Sequence, residues 1–461
     1  MSERGGSKLR RLTWLVSILA VAWMATAALR SGGEPTITIT PGLPAIGPRT
    51  PISLVFEEPV RGLSRLRVEL VQGERIERLA EREFTPRPAT RFWGDYQPRE
   101  EIEVEVGGET VAGLTAGEAM IRATAWVAPA LLRRPVPVLE ELTLPVLLTP
   151  PLIQVLSTKH YLAQGGAEMV IYRVGESAVR DGVEAGDWWF PGYPLAGGAA
   201  GERVAWFGAP FDLSDSAGVR LVAEDAVGNR ATMGFVDRYA PKPFSEDDIQ
   251  LPDRFLAKVV PEIMAQTPSL EDRGDDLSNY LQINGELRAA NAAELTALAD
   301  GSPSERRWRE AFLSLPGGQV MSSFADRRTY FYDGREVDRQ DHLGFDLAST
   351  RQAPVPAANE GLVVLARYFG IYGNTVVVDH GFGLMSLYGH LSTIEVAEGQ
   401  SVEHGQIVGK TGETGLAAGD HLHFTMLLHG LAVNPVEWWD AHWLEDRIFR
   451  KLAEVGATDG A

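Results

Sequence analysis

Nine histidines occur in this 461-residue chain, and eight of them follow residue 340: His342, His380, His390, His404, His421, His423, His429 and His442. There is no cysteine, so a transition metal can be held only by His, Asp or Glu. Spacing separates candidate ligands from merely solvated side chains. In His342-Leu343-Gly344-Phe345-Asp346-Leu347 the histidine and aspartate alternate with Leu343, Phe345 and Leu347. Read as a strand, the segment puts His342 and Asp346 on one face and the apolar trio on the other. The same arithmetic recurs in His421-Leu422-His423-Phe424-Thr425-Met426, where both histidines oppose Leu422, Phe424 and Met426. A helix would also align His342 with Asp346, but it would part His421 from His423.

Two imidazoles and one carboxylate are the usual protein share of a catalytic zinc site, which keeps a position for water. Zinc lowers the pKa of such a water to about 7, enough to generate a nucleophile for an amide carbonyl. Five candidates, His342, Asp346, His390, His421 and His423, compete for three ligand places. The surplus histidines are then free to act as general base or as donor to a developing oxyanion.

Each motif alone is common, whereas H-x-x-x-D, a histidine after a strand and H-x-H in that order within one strand-rich stretch are specific. The region resembles the lysostaphin-type zinc endopeptidases of peptidoglycan. The matching segments are HLGFDLAS (342–349), YGNTVVVDHGFGLMSLYGHLS (372–392), GQIVGKTGETG (405–415), GDHLHF (419–424) and VNPVEWW (433–439), with VMSSFADRRTYFYDG (320–334) similar to the lead-in strand. The resemblance implies one zinc ion per chain on His342, Asp346 and His423, with His421 as base and His390 positioning water or stabilising the oxyanion. It also implies an antiparallel β fold with a groove across the sheet, and a peptidoglycan peptide as substrate. A non-catalytic wall-binding regulator that activates another hydrolase is the alternative, against which the intact ligand set argues. His380, at a hairpin turn, and His404, in a glycine-flanked loop, read as structural or solvated. His429 and His442 take no role. Trp438-Trp439 reads as closing the core or the domain edge, and Asn374 and Tyr388 as possible lining of the groove.

The elements that must position these residues follow from periodicity. Residues 34–150 show short two-periodic runs, such as Ile37-Thr38-Ile39-Thr40 and Ile102-Glu103-Val104-Glu105-Val106, punctuated by Pro and Gly, which predict a β-sandwich. Residues 151–240 read as a second, immunoglobulin-like β domain, with strands at Met169–Tyr172 and Val219–Ala223. Between 241 and 314 the period becomes helical: Phe255, Leu256, Val259, Val260, Ile263 and Met264, then a run over 287–298, give a helical connector. The peptidase-like domain takes 315–442 and a tail 443–461, so the fold class is mainly β.

At the start, a basic segment (1–11) precedes the uncharged run Leu12–Leu29. Eighteen helical residues span about 27 Å, and the basic flank predicts the N-terminus inside the cell. The run reads as a transmembrane signal anchor in the inner membrane, with the bulk in the periplasm. The alternative is a cleaved signal peptide, given Ala25-Thr26-Ala27, and a secreted product. With 43 basic against 62 acidic residues the formal charge is −19, which opposes binding to nucleic acid.

Overall fold

The computed structural model describes residues 4–91, 93–130 and 132–457. Residues 1–3 of the basic N-terminal segment and 458–461 of the C-terminal tail lie outside the described residues. The chain is mainly β, and it divides into two compact units, Met1–Pro151 with Glu224–Arg230 and Leu152–Ala223 with Ala231–Ala461.

In the first unit the N-terminal helix runs from Arg4 to Leu29. Its stretch Leu9–Leu29, 21 residues, is long and apolar enough to cross a membrane. Two antiparallel sheets follow. One orders Thr36–Pro41, Thr50–Glu57 and Arg99–Val106; the other orders Arg75–Glu83, Leu63–Gln72, Gly117–Val127 and Val138–Val146. The alternation seen in the sequence sets their facing: Ile52, Leu54 and Phe56 from the first sheet share a core with Leu66, Val68, Leu70 and Ile121 from the second.

The second unit contains the strand predicted at 169–172, now Ala167–Val174, and residues 219–223 of the strand Val219–Asp225. Almost every residue of Ala167–Val174 is buried, so both faces of this strand are covered. Helices occupy Asp253–Gln266, Asp276–Gln282 and Arg288–Leu298, the last two joined by a π turn at Ile283–Leu287. The first helix buries Leu256, Val259, Val260 and Ile263, the stripe that the 3.6-residue period marks. Just before it, the strand Glu246–Gln250 pairs in parallel with Asp326–Tyr332, which in turn pairs antiparallel with Arg335–His342. This three-stranded sheet draws the helices alongside the C-terminal sheet.

The C-terminal sheet has eight strands. Its path runs Gln319–Ser322, Phe345–Ala348, Leu422–Leu428, Leu384–Leu391, Asn374–Asp379, Gly361–Tyr368 and Ser401–Val402, and Leu431–Val433 pairs on the side with Leu422–Leu428. One hydrophobic core continues from Met169, Ile171 and Trp206 through Trp308 into Val377, Phe424 and Trp438. The Trp206, Trp308 and Trp438 rings lie 5.8 to 6.5 Å apart. The segment read as a tail from residue 443 is largely helical up to Glu454 and adds Leu444, Ile448 and Leu452 to this core.

Glu437 is half-buried where that core meets the loop before Ala167. Its Oε2 accepts the Ala167 amide at 2.7 Å. Burial pushes its pKa up to about 8, the Ala167 hydrogen bond opposing and the neighbouring Glu168 adding to the rise. A carboxyl with a raised folded pKa gives stability that is complete below the unfolded value, near 4.3, and is lost as pH rises through the folded one. Between about pH 5 and 8 the wild type should therefore lose a few kcal/mol that Glu437→Gln keeps. Urea denaturation of both proteins at pH 5 and pH 8 reads this, and parallel pH profiles would contradict it.

Candidate metal centre

His342, Asp346 and His423 reach one point from three directions. His342 ends the strand Arg335–His342, while Asp346 belongs to Phe345–Ala348 in the other sheet. The two residues therefore do not share a face of one strand, as the alternation implied. The chain breaks at Leu343-Gly344 and folds His342 back over Asp346, with Nε2 3.0 Å from Oδ1. Gly344 makes the bend possible by its lack of a side chain: a Cβ there would fall 2.6 Å from Thr425 Oγ1 and 2.7 Å from His423 Nε2. Asp346 lies directly opposite His423 across the sheet, and His423 Nδ1 is 2.9 Å from Asp346 Oδ1 and 3.1 Å from His342 Nε2. The alternation in 421–426 does hold, since Leu422, Phe424 and Met426 are buried on the other side of the strand.

Proton positions follow from the outer partners. A backbone carbonyl only accepts, so a ring nitrogen facing one carries the proton. His342 Nδ1 faces Ser323 O at 3.0 Å, His390 Nδ1 faces Thr414 O at 2.8 Å and His421 Nδ1 faces Gly419 O at 2.8 Å. Thr425 Oγ1 donates to Leu343 O, so at 3.0 Å it accepts from His423 Nε2–H. His342, His421 and His423 then each turn a bare lone pair toward the Asp346 carboxylate. Three acceptors within 3.1 Å with no proton between them repel one another unless a cation lies among them. The donor set, two neutral imidazoles and a carboxylate with each outer atom hydrogen-bonded, fits a divalent metal ion.

The remaining two predicted residues border this point. The ring centroid of His390 is 4.9 Å from that of His421 and 5.7 Å from that of His423. His390 follows Gly389, which is opposite His423, and takes a left-handed φ of 62°. A left-handed histidine costs of order 1 kcal/mol or more and is characteristic of functional sites. His421 Nε2 is 3.5 Å from Asp346 Oδ1.

Burial opposes the charge of Asp346, but the surrounding His342, His421 and His423 outweigh it and hold the carboxyl well below its usual range. Burial, reinforced by the other histidines, pushes His390 well below the ordinary imidazole value, and burial lowers His423 to about 4. His421 differs. Burial lowers it, yet the hydrogen bond and charge of Asp346 prevail and raise it.

The segment that carries this cluster is similar to known proteins. The profile of Peptidase family M23 matches residues 340–435. The C-terminal segment is a family M23 peptidase domain. The chain is 32% identical over 172 residues to the peptidoglycan DD-endopeptidase ShyA of Vibrio cholerae, covering 37% of this chain and 37% of that protein. It is 40% identical over 95 residues to the DD-carboxypeptidase/endopeptidase Mpg of Neisseria meningitidis, covering 21% of this chain and 22% of that protein. The match thus spans well under half of either relative. Among solved structures, a zinc containing peptidase from Vibrio cholerae is 33% identical, with a TM-score of 0.25, covering 28% of this chain and 40% of that one.

The M23 domain opens onto a cleft of about 580 Å³ whose far wall comes from the helices that precede it. Those helices are tied down at several points. Glu262 accepts the Gly415 amide at 2.9 Å and the Tyr368 hydroxyl at 3.2 Å, Lys258 pairs with Glu413 at 2.8 Å, Asn291 accepts the Ile371 amide at 3.1 Å, and Glu294 pairs with Arg367.

One candidate for the groove stands elsewhere than expected, while His380 and the Trp438-Trp439 pair take structural places. Tyr388 does not line the groove: it is buried, its hydroxyl accepting the Ala358 amide at 2.6 Å and bonding Ser386 at 2.8 Å. His380 extends that buried chain through Ser386, at 2.8 Å. Asn374 hydrogen-bonds Leu391 O at 3.1 Å. Trp438 is in the core and Trp439 packs on Phe345 and Phe424. Arg328, whose Nη2 donates to Asp346 Oδ2 at 3.1 Å, escaped the sequence reading. Its strand pairs with Glu246–Gln250 and Arg335–His342 and not with the strand of Asp346, so no local pattern marks it. Thr425 was visible in principle, two residues after His423 and so on the same face.

Proposed function

We propose that the chain is a zinc-dependent endopeptidase of bacterial peptidoglycan, hydrolysing a stem-peptide or cross-bridge amide, with His342, Asp346 and His423 as metal ligands. The inward lone pairs of these three residues carry the reading, supported by the peptidoglycan endopeptidases among the relatives. Bound zinc supplies Lewis acidity there, which acidifies water and polarises an amide carbonyl.

The protein's own residues do the rest. His421 offers an unprotonated Nε2, and the Asp346 charge that raises its pKa makes it the better proton acceptor; it takes the proton of the attacking water and passes it to the departing amine. His390, kept neutral by burial, presents a bare Nε2 that accepts a hydrogen bond from the same water and orients it. Arg328 occupies the outer oxygen of Asp346 and so leaves Oδ1 to the ligand point. The apolar N-terminal helix is read as an inner-membrane anchor that leaves the catalytic unit in the periplasm, beside its substrate.

The test is digestion of purified sacculi by the full chain, with and without a chelator. New amino groups and soluble muropeptides are expected with zinc present, and none after chelation. His421→Ala should keep its metal while kcat falls by about 10²- to 10⁴-fold. Intact sacculi with zinc-loaded wild type would refute the reading.

A further inference from the structure

The cleft beside the metal centre is cationic in a chain of formal charge −19. Arg254, Lys258, Arg288 and Arg328 line it against a single carboxylate, Asp346. Two of these charges are already matched, Lys258 by Glu413 at 2.8 Å and Arg328 by Asp346 at 3.1 Å. Arg254 is exposed at the rim. Arg288 is half-buried and has no carboxylate within ion-pair distance among the described residues.

Its guanidinium is nevertheless fixed. Nε donates to Asn284 O at 3.1 Å and Nη2 to Asn284 Oδ1 at 2.5 Å. Asn284 is itself fully buried and held by Asp338 at 2.7 Å, within the π turn that opens the helix. One edge of the fork is thus spent on holding its direction, and the remaining N–H groups of this cleft-lining side chain have no partner among the described residues. The residue also borders the reacting centre. Arg288 lines the same cleft as His342, His421, His423 and Tyr372, and the Tyr372 ring lies 5.4 Å from the ring of His423.

A pre-aimed, uncompensated guanidinium beside an amide-cleaving centre is a carboxylate receptor, because planar bidentate recognition is what Arg does better than any other side chain. We propose that Arg288 is a specificity-determining residue whose guanidinium receives a free carboxylate of the peptide being cut, so that the enzyme selects carboxylate-bearing peptides over amidated or neutral ones. This rests on the peptidase reading above. It also gives the helices before the M23 domain a purpose, as the wall that supplies the substrate's counter-charge.

The experiment uses zinc-loaded full-length protein and two synthetic cross-linked peptides that differ only in a free carboxylate or a carboxamide next to the scissile amide. The wild type should prefer the carboxylate peptide by about 10- to 100-fold in kcat/KM, expressed in KM, the range of one charge-assisted hydrogen-bonded pair. Arg288→Gln should collapse that preference to about twofold or less, and Arg288→Lys, which keeps the charge without the fork, should retain part of it. Equal cleavage of both peptides by the wild type, or full preference in Arg288→Gln, overturns the proposal. Anisotropy of the labelled peptides on the same proteins separates the two readings. Selective binding of the carboxylate form without cleavage of either peptide sustains Arg288 and overturns the peptidase reading; binding without selectivity overturns Arg288.

Discussion

His423→Ala protein is expected to elute without metal and to release no new amines from sacculi, a loss of at least about 10³-fold, while its fold persists. The residue has no substitute within reach. Its Nδ1 is the ligand atom that faces both His342 Nε2 and Asp346 Oδ1, and the strand that carries it is pinned between neighbours on both sides. His421 cannot take over, since its own Nε2 is already directed at Asp346 from 3.5 Å and its Nδ1 is committed to Gly419 O. The tautomer is as necessary as the ring. Thr425→Val removes the acceptor that keeps the proton on His423 Nε2, and should cost about 10- to 100-fold in metal affinity with every ligand still present. Metal content of the purified proteins, and competition with a chelator of known affinity, report both effects independently of activity. A His423→Ala protein that still holds a stoichiometric metal would show that the ligands lie elsewhere.

That pair of expectations marks where local pattern ends. His421 and His423 were legible because a strand alternates and Leu422, Phe424 and Met426 fill the other face. His342 and Asp346 were found by spacing that holds for a different reason, a bend at Gly344 between two sheets, which the even separation mimics. Arg288 and Arg328 carried no signal at all. Arg328 is on a strand that pairs in parallel with Glu246–Gln250, a contact between segments some eighty residues apart that no window of sequence contains, and Arg288 is on the helix Arg288–Leu298 that follows. The same holds for the continuous core. The run Met169-Val170-Ile171-Tyr172 read as a strand, but nothing in it told that both faces are covered or that the cover reaches the tryptophans next to the M23 domain.

Lys451→Met should destabilise the second unit more than any surface change, by about 3 to 5 kcal/mol. Lys451 and Glu168 form an ion pair at 2.7 Å with side chains 2% and 0% exposed. Burial pushes the Lys451 ammonium down and the Glu168 carboxyl up, so each charge persists only because the other is there. Each polar atom of the pair has a further partner: Glu168 also accepts the Met169 amide at 2.8 Å and the Tyr161 amide at 3.2 Å, and Lys451 donates to Met169 O at 3.0 Å. Removing the lysine strands a carboxylate in an apolar core and releases the C-terminal helix from the strand Ala167–Val174. Adding Glu168→Gln to Lys451→Met removes the stranded charge but keeps an amide oxygen for the two backbone donors, so the double variant should recover more than half of the loss. Chemical denaturation of wild type, both single variants and the double variant closes the cycle. Simple additivity of the two single losses would mean that the pair is not coupled, and that the C-terminal helix is held by Leu444, Ile448 and Leu452 alone.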